Sequence, residues 1–384
     1  MRNLKILVSG ASVAGPALAF WLRRFGCTVT VVEKAPALRR GGQAVDFKGR
    51  THLAVLDRMG LTEEIRQYRT GGHDQTIVDG QGRALAVIPG EWTGGDIEIR
   101  RGDLARILYE RTANDCEYLF GDSVRSLTDT GSGVDVTFDR AAPRTFDLVV
   151  GADGIHSMVR KLAFGPEPEF VHQSGYHYAL AELREPLDWP VRMYNEPGRL
   201  VATGGPKAPV FFVFKSSSLR YDRYDPEQQR RLVIDAYRGV GWRTGEVLAA
   251  VAKGGEFYLD SISRVAIDRY ASGRVVLLGD SAYGNTLGGF GTGLAMVGAY
   301  VLAGELLAAD GDHRVAFRRY EEKFRPYAKT AGKSSAGPFL APPTRLRMRM
   351  RNRMFNSPFL LRQLLKMTDR MATDITLEDY ERDS

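Results

Sequence analysis

The chain has 384 residues, 43% of them hydrophobic and 26% charged, with a formal net charge of +7. That make-up belongs to a folded globular protein of two or three structural units and excludes disordered, collagen-like and disulfide-stapled chains. The basic excess suits anionic cofactors. With no zinc-ligand spacing, no RNP-like aromatic strand and no basic arm, nucleic acid is not an expected partner.

The first apolar run, Lys5 to Val8, ends in glycine too soon for a signal peptide or a membrane span. It reads as a buried strand leading into "GASVAG" and then a helix with Leu18, Leu22 and Phe25 at helical spacing. Cys27 follows as a small buried residue, and "TVTVVE" gives a second β-branched strand ending in Glu33. Gly10, Ser12 and Gly15 occupy the three fingerprint positions of a G-x-G-x-x-G turn. The first glycine allows the sharp turn, a small second residue lets backbone N–H groups approach a pyrophosphate, and the third lets helix and strand pack closely. Glu33 stands where a carboxylate binds the hydroxyls of an adenosine ribose, with Lys34 beside it as a further cofactor-binding candidate. The unit predicts an ADP-containing cofactor and does not separate NAD from FAD. The two cysteines, Cys27 and Cys116, make no disulfide framework, so a cytoplasmic setting is expected.

Further along, "DQTIVDGQGRALAVIP" has hairpin character around its turn. "EIRRGDLARIL" contains Arg101, and Phe146 to Val150 reads as one buried strand before Asp153, Gly154 and a helix carrying Arg160. Asp153 also suits a plain helix N-cap. "RMYNEPG", "LVATGG" and "PVFFVFKSS" read as antiparallel strands, with Phe211, Phe212 and Phe214 straddling two faces. His172, His177, Arg192 and Tyr194 lie in these segments as candidates for activating a substrate hydroxyl, although structural or exposed roles are the plainer reading of each. No catalytic side chain is singled out and no metal site is expected.

"GRVVLLGD" is a strand ending at Asp280, followed by Gly288, Gly289, Gly291 and Gly293 and a long apolar helix. A helix N-terminus gathers unpaired N–H donors, so Gly291, Thr292 and Gly293 suit an anion or a polarised carbonyl. Asp280 adds an acceptor for a polyol. A nicotinamide dehydrogenase needs no such second site so far downstream, whereas FAD, with its ribityl chain and ring, does. In the C-terminal stretch, "RLRMRMRNRMF" predicts a helix despite its two-residue alternation, restarted at Ser357-Pro358. A solvated helix bridging two domains is the plainer reading; interleaved arginine and apolar residues also fit a membrane-surface helix. No stable membrane association is expected.

These residues resemble the group A flavoprotein monooxygenases related to para-hydroxybenzoate hydroxylase. "GASVAG" with Glu33 is similar to the family's ADP-binding motif, "GADGIHSMVR" to its Asp-Gly motif and "GDSAYGNTLGGFGTG" to its Gly-Asp motif. The resemblance implies that Asp153 serves flavin and NADPH handling, that Asp280 binds the ribityl chain and that Arg101 lies near the flavin. It implies an α/β fold: a Rossmann-like FAD-binding domain from the discontinuous segments 1–70, 99–165 and 266–330, an antiparallel β-sheet substrate domain (71–98 and 166–265) and a C-terminal helical segment (331–384).

It further implies FAD, transient NADPH or NADH, and O2 acting through a flavin C4a-hydroperoxide on an aromatic or polyketide-like small molecule. Within the family the chain looks closest to tetracycline-inactivating and antibiotic-tailoring enzymes, as a monomer or homodimer. A non-oxygenating flavin reductase and a flavoprotein that only binds a drug-like ligand are the alternatives. One departure bears on them: relatives carry one or two prolines after the Gly-Asp aspartate, and Tyr283 to Leu287 has none, which predicts a looser loop.

Overall fold

The computed structural model describes the chain apart from residues 2, 39–41, 91–94, 186–188, 206–207, 218, 290, 332–335, 372–374 and 381–384. In the strand Lys5–Ser9, the side chains of Ile6, Leu7 and Val8 are wholly buried, as in the centre of a parallel sheet covered on both faces. It pairs in parallel with Thr28–Glu33 on one side and Leu148–Gly151 on the other. Val275–Leu277 and Glu117–Phe120 extend the array in parallel, and Ala271–Ser272 closes one edge in antiparallel. The helices Ala14–Arg24 and Gly291–Ala308 pack against each other beside this sheet.

Gly291–Ala308 is apolar all round and mostly buried, the pattern of a core helix. Its glycines admit aromatic rings. A Cβ on Gly298 would sit 2.4 Å from the Tyr283 hydroxyl, and one on Gly304 would sit 2.1 Å from the Tyr380 ring.

The stretch expected as one strand, Phe146 to Val150, is divided. Arg144–Phe146 belongs to an antiparallel sheet with Val134–Phe138 and Val124–Asp129, whereas Leu148–Gly151 enters the parallel sheet. Asp147 makes the switch: its N–H donates to the Lys5 carbonyl at 2.8 Å, and its carboxylate accepts from the Lys5 N–H at 2.7 Å.

A second, seven-stranded sheet runs Phe257–Val265, Val171–Ala181, Ala208–Lys215, Arg199–Gly205, Arg192–Glu196, Gln75–Val78, Ala84–Ile88. It is antiparallel as expected, except where Arg192–Glu196 meets Gln75–Val78 in parallel. The hairpin around Asp79–Gly82 is the one the sequence predicts. Helices Pro226–Ala236 and Thr244–Ala252, which strand patterning did not foresee, carry Val233, Tyr237 and Val247 into one face of the sheet with Phe212 and Phe214. Phe211 points to the other face, among Tyr178, Met193, Leu287 and Phe339.

At the C-terminal end, Thr344 caps Arg345–Phe355 by accepting the Arg347 N–H. A second helix, Pro358–Met371, restarts at Pro358, with Ser357 Oγ accepting from the Leu360 N–H at 3.4 Å. Arginine and methionine alternate along the sequence there, yet the residues turned inward are Arg351 and Phe355, at the four-residue spacing of a helix. Arg351 is buried, and its guanidinium donates to the carbonyls of Phe339 and Leu340 and to Asn195 Oδ1 at 3.1, 3.0 and 2.8 Å. Burial pulls Arg351 down to about 10.

Candidate functional site

Four strands that run side by side in parallel end at the sequence motifs. Gly10 follows the first strand, Glu33 closes the second, Asp153 follows Leu148–Gly151 and Asp280 follows Val275–Leu277. Motifs separated by up to 270 positions therefore share one edge, the carboxyl edge, where open α/β sheets bind their ligands.

The first turn is built by close backbone approach. Gly10 has φ +109°, and a Cβ there would lie 2.4 Å from the Ala152 carbonyl oxygen; on Gly15 it would lie 1.9 Å from the Gly10 carbonyl oxygen. Glu33 tightens the turn, its two carboxylate oxygens accepting the N–H groups of Ala11 and Ala35, each at 2.8 Å. Ser12 Oγ accepts from Arg101 Nε and Nη2 at 3.0 and 2.7 Å, so Arg101, opening the helix Arg101–Glu110, reaches over the turn. Lys34 is exposed and turns away from Glu33 toward Tyr224, its ammonium donating to the hydroxyl at 2.6 Å and lying 4.3 Å from the ring centroid.

Asp153 takes the helix-capping role. Its carboxylate accepts the Met158 and Val159 N–H groups at 2.8 and 3.1 Å, and the hydroxyls of Ser157 and Ser281. Ser281 Oγ in turn accepts the Gly154 N–H at 3.1 Å, and buried Arg160 donates to the Ser281 carbonyl at 2.9 Å. The Asp-Gly and Gly-Asp segments are thus tied together through Ser281.

Asp280 differs. Its carboxyl is enclosed by protein yet open to solvent, as on the wall of a cavity, and no hydrogen bond from a described residue reaches it. Burial pushes its pKa up, with the Arg101 charge pulling against that. A Cβ on Gly291 would lie 3.8 Å from Asp280 Oδ1, so the start of the long helix faces this carboxylate. Thr292 is half-buried beside it. Gly293 has a packing role: a Cβ there would meet the His52 ring at 2.2 Å. His52 is wholly buried, its Nδ1 accepting the Lys48 N–H at 3.1 Å and its Nε2 3.0 Å from the Tyr327 hydroxyl; burial lowers its pKa to about 4.

The proline-free loop after Asp280 is fastened rather than loose. The Val265 N–H donates to the Gly284 carbonyl at 2.7 Å and the Thr286 N–H to the Ser263 carbonyl at 2.9 Å, joining the loop to the edge strand of the second sheet. Leu287 then enters the apolar face of that sheet.

The candidates chosen from the second sheet lie elsewhere. His177 is buried against Phe214 and Tyr221, with ring centroids 5.7 and 6.1 Å away. Tyr194 stacks on Trp242 on the helix-covered face, His172 is exposed and Arg192 donates to its neighbour's carbonyl, Val191. Tyr178 and Tyr258, which carry no motif, have rings 5.8 Å apart, with the Tyr178 hydroxyl within electrostatic reach of Arg101 and Asp280. The Tyr258 hydroxyl donates to Asp260 at 2.9 Å, as does that of Tyr221 at 3.1 Å. His156 bridges Asp260 and Glu167, 3.1 Å from each. Burial opposes the charge on this imidazole, but the two carboxylates outweigh it and hold its pKa above the ordinary value. The period-two run "YHYALA" marks a strand but not which face meets a cofactor.

Residues 3–333 match a family described as FAD binding domain. The Mycobacterium tuberculosis (strain ATCC 25618 / H37Rv) protein Rv1260 is 41% identical over 342 residues, which is 84% of this chain and 90% of that one. A flavin-dependent monooxygenase of Legionella longbeachae serogroup 1 (strain NSW150) is 36% identical over 341 residues, covering 85% and 86% of the two chains. The crystal structure of the tetracycline destructase Tet(51) superposes with a TM-score of 0.82 at 30% identity, over 99% of this chain and all of the other.

Proposed function

The chain belongs to this FAD-binding family and is an FAD-dependent monooxygenase, and on that premise we propose that it uses NADPH or NADH and O2 to oxygenate an aromatic or polyketide-like small molecule. The observation that carries the assignment is Asp280: a carboxylate walled in by protein, open to the cleft and without a hydrogen-bond donor among the described residues. A carboxylate set in the wall of the cleft, open to solvent and engaged by no described side chain or backbone N–H, is placed to accept a ligand hydroxyl. The residues present fit FAD. Gly10, Ser12 and Gly15 leave room for the pyrophosphate, Glu33 for the ribose, Asp280 for the ribityl hydroxyls, and the first N–H groups from Gly291, Thr292 and Gly293 for the carbonyl end of the ring.

Bound FAD supplies the activation of O2 and the delivery of one of its oxygen atoms. The chain does the rest. Arg101 lays a positive charge across the turn, countering both the phosphates and the Asp280 carboxylate. Asp153 acts at one remove, holding Gly154 and Ser281 so that Asp280 is correctly placed. On the sheet face shared with the C-terminal helices, the half-buried Phe211 and Leu287 offer apolar surface against which a flat ring would exclude water. The similarity to a tetracycline destructase supports polycyclic substrates.

The purified protein should show a flavin spectrum. Its NADPH oxidation should rise with one member of a panel of phenols, anthraquinones and tetracyclines, yielding a product one oxygen heavier. Substrate-stimulated NADPH oxidation with no oxygen in any product would leave a flavin reductase. Binding without stimulation would leave a ligand-holding flavoprotein.

A further inference from the structure

The exposed apolar side chains are unevenly distributed. Ten large hydrophobic residues are exposed among the described residues, and four of them, Leu346, Met350, Phe359 and Leu360, lie on the two C-terminal helices. Two more, Leu85 and Val87, lie on Ala84–Ile88, the edge strand on which the first of these helices packs, but strand alternation turns them to the face opposite the buried Ala86 and Ile88 that meet the helix. Asn356 Nδ2 fixes that contact by donating to the Leu85 carbonyl at 2.9 Å. Four of the ten on two short neighbouring helices mark a patch rather than scatter.

Its charge says what docks there. From Pro342 to Thr368 there is no acidic residue, and seven cations fall in that span. Arg351 alone is buried and anchors the first helix; the other six are exposed. Leu346 and Met350, four residues apart, form an apolar stripe among Arg345, Arg347, Arg349 and Arg353, and Phe359 and Leu360 are exposed in the first turn of the next helix. Apolar tips rimmed by long cationic side chains that pair with no carboxylate among the described residues suit a bilayer interface. There the apolar groups enter the acyl boundary and the arginines reach lipid phosphates. A second copy of this chain would bring the same cations against themselves.

We propose that the two C-terminal helices, Arg345–Phe355 and Pro358–Met371, dock the enzyme reversibly on an anionic lipid surface. The association is peripheral. Among the described residues the helix long and apolar enough to cross a membrane is Gly291–Ala308, and it is 78% buried inside the protein. The inner side of the same helices, through Phe355, Met354 and Leu361, covers the sheet face that bears Tyr178 and Phe211. Docking therefore sets the apolar wall of the cleft one layer from the lipid, where lipophilic polycyclic compounds accumulate.

The test is flotation of the FAD-loaded full chain with phosphatidylglycerol vesicles and with pure phosphatidylcholine vesicles, at low and at high salt. Expected is binding to the anionic vesicles only, lost at high salt. Each exposed arginine near the surface contributes about fivefold, so the Arg345→Gln, Arg347→Gln, Arg349→Gln triple variant should bind about 100-fold more weakly. A Leu346→Glu, Met350→Glu variant should lose binding as well, with flavin content and melting temperature unchanged. No flotation of the wild type with phosphatidylglycerol at low salt overturns the proposal. So does equal binding by wild type and both variants. If the same variants instead abolish a concentration-dependent dimer seen by light scattering, without any lipid binding, the surface belongs to a second copy and the proposal falls.

Discussion

Replacing Asp280 by alanine separates a ligand-binding carboxylate from a structural one. No described residue donates to this carboxylate in the protein, and burial raises its pKa, so its ionised form is held at a cost to the fold. Its removal should leave the apoprotein as stable as wild type, or slightly more so. Against FAD the balance reverses. Hydrogen bonds to a charged acceptor contribute about 1.5–3 kcal/mol, and with about 1.4 kcal/mol per factor of ten, Asp280→Ala should weaken FAD about 10- to 100-fold. Asp280→Asn keeps one acceptor oxygen and should fall between. The assay is titration of FAD fluorescence into apoprotein, run beside thermal melts of apo and loaded forms. The sign with pH follows from the raised pKa. FAD takes the ionised form, so wild-type affinity is full above the folded-state value and declines as pH falls through it, while Asp280→Asn is flat over that range. An unchanged FAD affinity, or an Asp280→Ala apoprotein that melts clearly earlier than the wild-type apoprotein, would refute the assignment.

Gly15→Ala places a Cβ 1.9 Å from the Gly10 carbonyl oxygen, a backbone atom that cannot move aside. It should cost about 1–3 kcal/mol or more in denaturant unfolding and yield colourless protein. Arg351→Ala removes the guanidinium that Asn195 Oδ1 accepts from and leaves a void under the first C-terminal helix, so a loss of about 2–4 kcal/mol is expected. Limited proteolysis should then cut within residues 345–371. His52 titrates at about 4 in the fold against 6.5 ordinarily, so the unfolded chain alone binds its proton between those values. Stability should fall as pH drops from 6.5 to 4, by up to about 3 kcal/mol, and His52→Gln melts should lack this acid slope. His156 is shifted the other way. Its contribution is complete below its ordinary value of 6.5 and disappears as pH rises through the raised one, so His156→Gln should flatten the melting curve on the alkaline side only.

The cofactor edge was legible because its chemistry acts through the backbone. Gly10, Gly15 and Gly279 are constrained by contacts that a Cβ would break, so they leave a residue-type signature at fixed offsets from apolar strands. Glu33 and Asp280 stand at strand ends for the same reason. Asp153 shows the limit of such reading: an aspartate after a strand and before a helix both caps the helix and borders the cleft, and only the hydrogen bonds from Met158, Val159 and Ser281 show where its oxygens go. The substrate wall left no comparable trace. Alternation along "YHYALA" places Tyr178 and His177 on opposite faces of one strand but does not say which face is covered by helices. The helices that decide it, Pro226–Ala236 and Thr244–Ala252, arrive some fifty residues later in the chain. His177 was therefore weighed as a catalytic candidate and is buried against Phe214, while Tyr178, its neighbour on the opposite face, lies within electrostatic reach of Arg101 and Asp280. Likewise the arginine-methionine repeat gave its helix from composition, but Arg351 differs from its neighbours only through Asn195, a residue 156 positions away. What a single sequence conveys here is the part of the site made by local backbone geometry; the part made by two sheet faces meeting is set by contacts that have no local spacing.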